Sequence, residues 1–201
     1  MSKARLEALS DGVIAIAITL LILEIRVPEG AGDDLPHQLV EQWPSYVSYI
    51  VSFFVIGVIW LNHHALLSHL DRADRKLMAL NLVLLFTIAT IPWPTHLLAT
   101  YMREGGDAER LAALIYSGTM FAMGIAFGSL RRYAVRDRRL LGTDLSEEEI
   151  QRRTLRFTIG APLYFVALLV ALVSAPACLA INAALAVYYA VPGGGMMRHP
   201  E

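Results

Sequence analysis

From Ser10 to Ile25 the chain runs through Val, Ile, Ala and Leu, interrupted by Thr19, and then turns polar at Glu24 and Arg26 before Pro28. A helix from Ala8 to Val27 rises roughly 30 Å, the thickness of a bilayer core. Apolar stretches of spanning length recur at 46–67, 77–101, 111–130, 157–174 and 177–191. The last two touch through Ser174-Ala175-Pro176, which predicts a tight helical hairpin. The pattern predicts an all-α polytopic membrane protein of one domain with six transmembrane helices. Pro92-Trp93-Pro94 should kink or end the third span, with Trp93 as an interface anchor. Gly124-x-x-x-Gly128, with Ser117 and Gly118 upstream, should be a small-residue packing face on the fourth.

The polar segments between the spans are asymmetric. Lys3, Arg5, Arg72, Arg75, Lys76, Arg131, Arg132, Arg136, Arg138, Arg139, Arg152, Arg153, Arg156 and Arg198 fall on one side, against Arg26, Arg103 and Arg110 on the other. That bias predicts both termini in the cytoplasm, which requires an even number of spans. The loop 131–156 is the one sizeable soluble segment. Within it Ser146 and Glu149 read as a capping box, stapled by Leu145 and Ile150. The segment after the first span holds Glu24, Glu29, Asp33, Asp34 and Glu41. This acidic face either concentrates cations or simply avoids the positive-inside signal.

Composition agrees with the pattern: of 201 residues, 56% are hydrophobic and 17% charged, with mean hydropathy +0.50, too apolar for an ordinary soluble domain. The single cysteine, Cys178, excludes an internal disulfide. The first span has no Ala-x-Ala cleavage site and is expected to stay in the mature protein. The run Gly193–Gly195 reads as a flexible tail.

Candidate chemistry is sparse. Asp11 and Glu24 stand at the two membrane boundaries, where a carboxylate should face protein or water rather than lipid. Ile16, Leu20 and Leu23, spaced i, i+4, i+7, form one stripe beside Thr19. Spacing alone favours packing or lipid-facing residues over stacked apolar rings that close a pore by dewetting. Ser10-Asp11-Gly12 reads locally as a helix start, and Arg5 is too far from Asp11 for a same-face pair. In Trp60-Leu61-Asn62-His63-His64, Asn62 or His64 is expected to bond a neighbouring helix rather than a metal, since adjacent histidines diverge on a helix. No Gly-x-Ser-x-Gly, HExxH, phosphate loop or cysteine cluster suggests an enzyme, and the potassium-channel filter Thr-Val-Gly-Tyr-Gly is absent.

Arg5, Ser10-Asp11-Gly12, the apolar run that follows, and Trp60 with His63-His64 together resemble the transmembrane protein 175 family, the lysosomal and bacterial potassium channels. The family's first-helix mark is Arg-x-x-x-Phe-Ser-Asp; here Leu9 replaces the Phe. The resemblance covers essentially the whole chain. It implies a homotetramer of six-span subunits in a bacterial inner membrane, with four copies of the first helix lining a central pore. The constriction would then be Ile16, Leu20 and Leu23, with Thr19 as a polar layer and Glu24 as an outer carboxylate ring if it faces the pore. Arg5, Ser10, Asp11, Gly12, Trp60 and His64 would pack that helix against its neighbours. No carbonyl filter and no cofactor beyond permeant potassium are implied. The partners would be monovalent cations, the lipid bilayer and further copies of the chain, with no nucleic acid. Two other readings remain: a secondary transporter coupling protons through Asp11, Glu24 or a histidine, and a non-conducting scaffold docked through the small-residue face.

Overall fold

In the computed structural model, which describes residues 3–30, 32–136, 140 and 160–190, the first apolar stretch is one helix that starts well before Ser10. This helix, α1 (Lys3–Leu20), tightens into a 3₁₀ turn at Leu21–Glu24. Leu6, Ser10, Ile14, Ala17 and Leu21 are all buried. Their spacing of four, four, three and four places them on one face, so they are the stripe that packs into the subunit. Ser10 is therefore no N-cap. It lies mid-helix, and its hydroxyl donates to the Leu6 carbonyl at 2.8 Å.

Beyond α1 a short turn at Gly32–Asp34 leads to α2 (Leu35–Glu41) and then α3 (Trp43–Ser68). Next come α4 (Arg75–Thr90) and α5 (Pro92–Tyr101), α6 (Gly106–Arg136), α7 (Gly160–Val170) and α8 (Ala175–Ala190). Among the described residues, four helical stretches are long and apolar enough to cross a membrane: 3–24, 43–68, 75–101 and 106–136. The helices α7 and α8 are apolar but shorter, at 11 and 16 residues. α1 lies against α3 and α4, and the α7–α8 hairpin closes onto α6 and α3.

Three local features refine the expectations. Pro92 and Pro94 interrupt the third stretch without ending it: Ile91 keeps helical angles (φ −53°, ψ −39°) and α5 continues. Thr95 donates to the Ile91 carbonyl at 2.8 Å, and Ser52 bridges Thr95 (2.8 Å) and Tyr116 (3.1 Å), so the polar groups at the break are satisfied inside the bundle. The loop expected from Arg131 begins as helix instead, because Phe127, Leu130 and Ala134 continue the buried face of α6 through Arg136. Of the expected packing face, Gly124 lies under the Tyr164 ring, where an added Cβ would come within 3.0 Å, whereas Gly118 and Gly128 face open space. The capping box at 145–150, residues 141–159 of the loop and span, and the tail at 193–195 lie outside the described residues.

Asp74 caps α4, accepting from the Leu77 amide at 2.7 Å, and its other oxygen accepts from the Tyr133 hydroxyl, joining the start of α4 to the end of α6. At the opposite end of the bundle, Arg103 donates to both the carbonyl and the carboxylate of Glu41, each at 3.0 Å, and fastens α2 to the end of α5. Hydrogen bonding from Arg103 and its charge hold the Glu41 carboxyl below its ordinary 4.5. A depressed folded pKa contributes stability above the ordinary value and loses it as pH falls through the lowered one. Backbone amide exchange in α2 is therefore expected to quicken as pH drops well below 4.5, after correction for intrinsic rates. In Arg103→Ala it should be fast at every pH; a pH-independent α2 in the unaltered chain would refute the coupling.

Candidate functional site: a bare helix face over a buried polar network

The outward face of α1 carries the residues that the sequence singled out. Ile16, Leu20 and Leu23 are 61%, 43% and 71% exposed in the single subunit. Asp11, Gly12 and Thr19 are exposed on the same helix, and a Cβ added at Gly12 would point into open space. Of the four long apolar stretches, the one containing α1 is the least buried, 28% against 44–50% for the others. The Thr19 hydroxyl donates back to the carbonyls of Ala15 (3.0 Å) and Ile16 (2.9 Å). Its hydrogen is thereby used inside the helix, and only oxygen lone pairs remain to face outward.

Behind this face, α1 is bonded to α3 and α4. The Asp11 carboxylate accepts from Trp60 Nε1 at 2.8 Å, and the Trp60 ring lies 6.0 Å from that of His64, one turn along α3. Ser10, on the buried side, accepts from Asn81 Nδ2 at 2.9 Å. Asn81 Oδ1 in turn lies 2.7 Å from His63 Nε2. Because an amide oxygen can only accept, His63 donates, and the chain of donors runs His63 to Asn81 to Ser10 to the Leu6 carbonyl. All three side chains are buried. In a membrane interior, where no water can substitute, a closed chain of this kind fixes which faces of three helices meet.

The expected cluster is thus only partly assembled. Ser10, Asp11 and Trp60 join α1 to its neighbours, but His64 is exposed beside the Trp60 ring of its own helix, and Arg5 is exposed and makes no ion pair with Asp11. The expected interhelical bond of His64 belongs to His63 instead, because adjacent positions on α3 diverge by about 100° and His63 points at α4. Asn62 bonds the Val58 carbonyl at 2.7 Å and reaches the Tyr189 carbonyl on α8 at 3.4 Å. Glu24 does not stand free on the stripe: its carboxylate lies 3.0 Å from His96 Nδ1 of α5 and is half-buried. Sequence reasoning missed Asn81, His63 and His96. The available signal was the cost of a lone amide or imidazole in an apolar span, which requires a partner. Among the described residues no group of three His, Cys, Asp or Glu is placed to hold a metal ion.

Asp11→Ala removes the hydrogen bond from Trp60 that ties the exposed side of α1 to α3, and is expected to weaken assembly rather than to change ion preference alone. Size-exclusion chromatography of the purified variant tests this. A normally assembled variant whose only change is ion selectivity would count against it.

Residues 5–92 match the family model described as endosomal/lysosomal potassium channel TMEM175. The chain is 47% identical over 188 residues to a potassium channel of Streptomyces collinus, covering 93% of this chain and 91% of that protein. It is 38% identical over 192 residues to a potassium channel of Chamaesiphon minutus, covering 93% of each. The crystal structure of a lysosomal potassium-selective channel TMEM175 homolog from Chamaesiphon minutus superposes with a TM-score of 0.84 at 37% identity, over 94% of this chain and 96% of that one.

Proposed function

The chain belongs to the TMEM175 family, and from that membership we propose that it is a potassium-preferring cation channel, a homotetramer of six-span subunits in a bacterial inner membrane with both termini cytoplasmic. Four copies of α1 line one pore. Ile16, Leu20 and Leu23 form three apolar rings, and Thr19 adds a layer of oxygen lone pairs between them.

The observation that carries this reading is the mixed character of the bare face of α1. Exposed Leu and Ile alone fit lipid as well as a pore. Asp11 and Thr19 are exposed on the same helix, and a carboxylate at the membrane boundary must face protein or water while the Thr19 oxygen offers its lone pairs outward. The α1 backbone carbonyls are engaged within the helix, so the constriction consists of side chains rather than a carbonyl filter. An ion then crosses by losing part of its hydration at the apolar rings, which favours the more weakly hydrated potassium over sodium. The chemistry is permeation, with no covalent step and no cofactor. Relatives named as potassium channels support the choice of ion.

Flux into liposomes holding the purified protein, with potassium, sodium or a bulky organic cation as the sole permeant species, tests the reading. Fast, non-saturating flux that favours potassium is expected. Saturating flux coupled to a proton gradient would replace the channel with a transporter, and no flux from intact, assembled protein would leave a membrane scaffold.

A further inference from the structure

At Leu21 α1 tightens from α-helix to 3₁₀ geometry, in which side chains three residues apart eclipse. Leu23 therefore stands in line with Leu20. In a continued α-helix it would be rotated by about 60° from that position, in line with Ile16 instead. Something must hold this turn, because isolated 3₁₀ geometry has poorer hydrogen bonds than the α-helix it replaces. Leu21 is buried and anchors the start of the turn. Its end is held by one residue of α5: His96 Nδ1 lies 3.0 Å from Glu24 Oε2, and Arg26 Nη2 lies 3.3 Å from His96 Nε2.

An arginine can only donate, so Nε2 accepts and the ring proton is left on Nδ1, turned towards the Glu24 carboxylate. The Nδ1 contact lacks hydrogen-bond alignment, so it is electrostatic in character. One imidazole thus bridges two residues of α1's end that lie two positions apart. Glu24 and His96 are both half-buried next to the break at Pro92 and Pro94, and Arg26 is exposed.

We propose that His96 is the positioning residue of the pore, bridging Glu24 and Arg26 so that the 3₁₀ turn sets Leu23 over Leu20 as the outermost apolar ring. This rests on the pore reading above. Glu24 then acts chiefly as the clamp's anchor on α1, and not as a free carboxylate at the mouth.

His96→Ala and His96→Gln, in the full chain, separate positioning from mere bulk. A Gln amide can donate to Glu24 and accept from Arg26 at once, whereas Ala can do neither. Two readouts are needed: backbone amide exchange at residues 21–26 and the potassium-to-sodium flux ratio in liposomes. In His96→Ala, exchange in the turn should quicken and the flux ratio should fall by up to about fivefold, the factor equivalent to losing one net hydrogen bond of about 1 kcal/mol. His96→Gln should restore most of both. Exchange unchanged in His96→Ala, or Gln no better than Ala in an assembled protein, overturns the clamp. If exchange responds as expected but Leu23→Ala leaves flux and ion preference unaltered, the clamp stands and its role in the pore is overturned together with the pore reading.

Discussion

Leu23→Ala is expected to raise sodium leak about tenfold and to flatten the preference for potassium, since a barrier lowered by about 1.4 kcal/mol is already a tenfold gain in rate. In the proposed tetramer the substitution replaces four isobutyl groups of one ring by methyls, widening it and letting water remain where it was excluded. Ile16→Ala should act in the same direction at the proposed inner ring. Both positions are more than half exposed in the subunit. Truncation there costs the subunit core little, so assembly on size-exclusion chromatography should be normal. The measurement is paired potassium and sodium flux in liposomes. Unchanged flux and selectivity in both variants would remove α1 from the conduction path.

Asn81→Ala is expected to have the largest effect on stability, about 2–3 kcal/mol, without any residue of the stripe being touched. The substitution leaves the His63 N–H without its acceptor in a buried site, takes from Ser10 its incoming bond, and opens a small void between α1, α3 and α4. Ser10→Ala should cost less, because it orphans one amide hydrogen that Asn81 can partly redirect. Thermal melting in detergent, followed by size exclusion, ranks the two. If Asn81→Ala melts with the unaltered protein, the buried network does not hold the helices together.

Much of this arrangement is legible in the sequence. Runs of apolar residues about twenty long mark where the chain can cross a bilayer, and four of them lie within helices long enough to do so. The stripe Ile16, Leu20, Leu23 was legible as a stripe, since helical spacing follows from sequence alone. Its exposure was not, because the opposite stripe, Leu6 to Leu21, has the same period and comparable hydrophobicity. Ser10 misled for a related reason. Its residue type favours a cap, yet the helical segment Lys3–Leu9 ahead of it carries Leu6 on the buried stripe, and packing extended the helix over a local preference worth only about 1 kcal/mol.

The histidines show the same division. Sequence placed His63 and His64 on one helix and showed that they must diverge; it could not say which would meet α4. Likewise Glu24 was visible as a carboxylate at a membrane boundary, but its partner, His96, is 72 residues away.

By itself, then, the sequence determined that this is a helical, multi-pass membrane protein, which stretches are apolar, and where along α1 the stripe and the polar residues fall. Those are sums and periods along the chain, set by residue type and helical rise. Only the tertiary structure decided which side of α1 is buried, that Asn81 joins His63 to Ser10, and that His96 takes Glu24 from the open face. Each of these depends on the rotation of one helix about its axis relative to another, and that angle is settled by the few buried polar groups that must find one another where water cannot take their place.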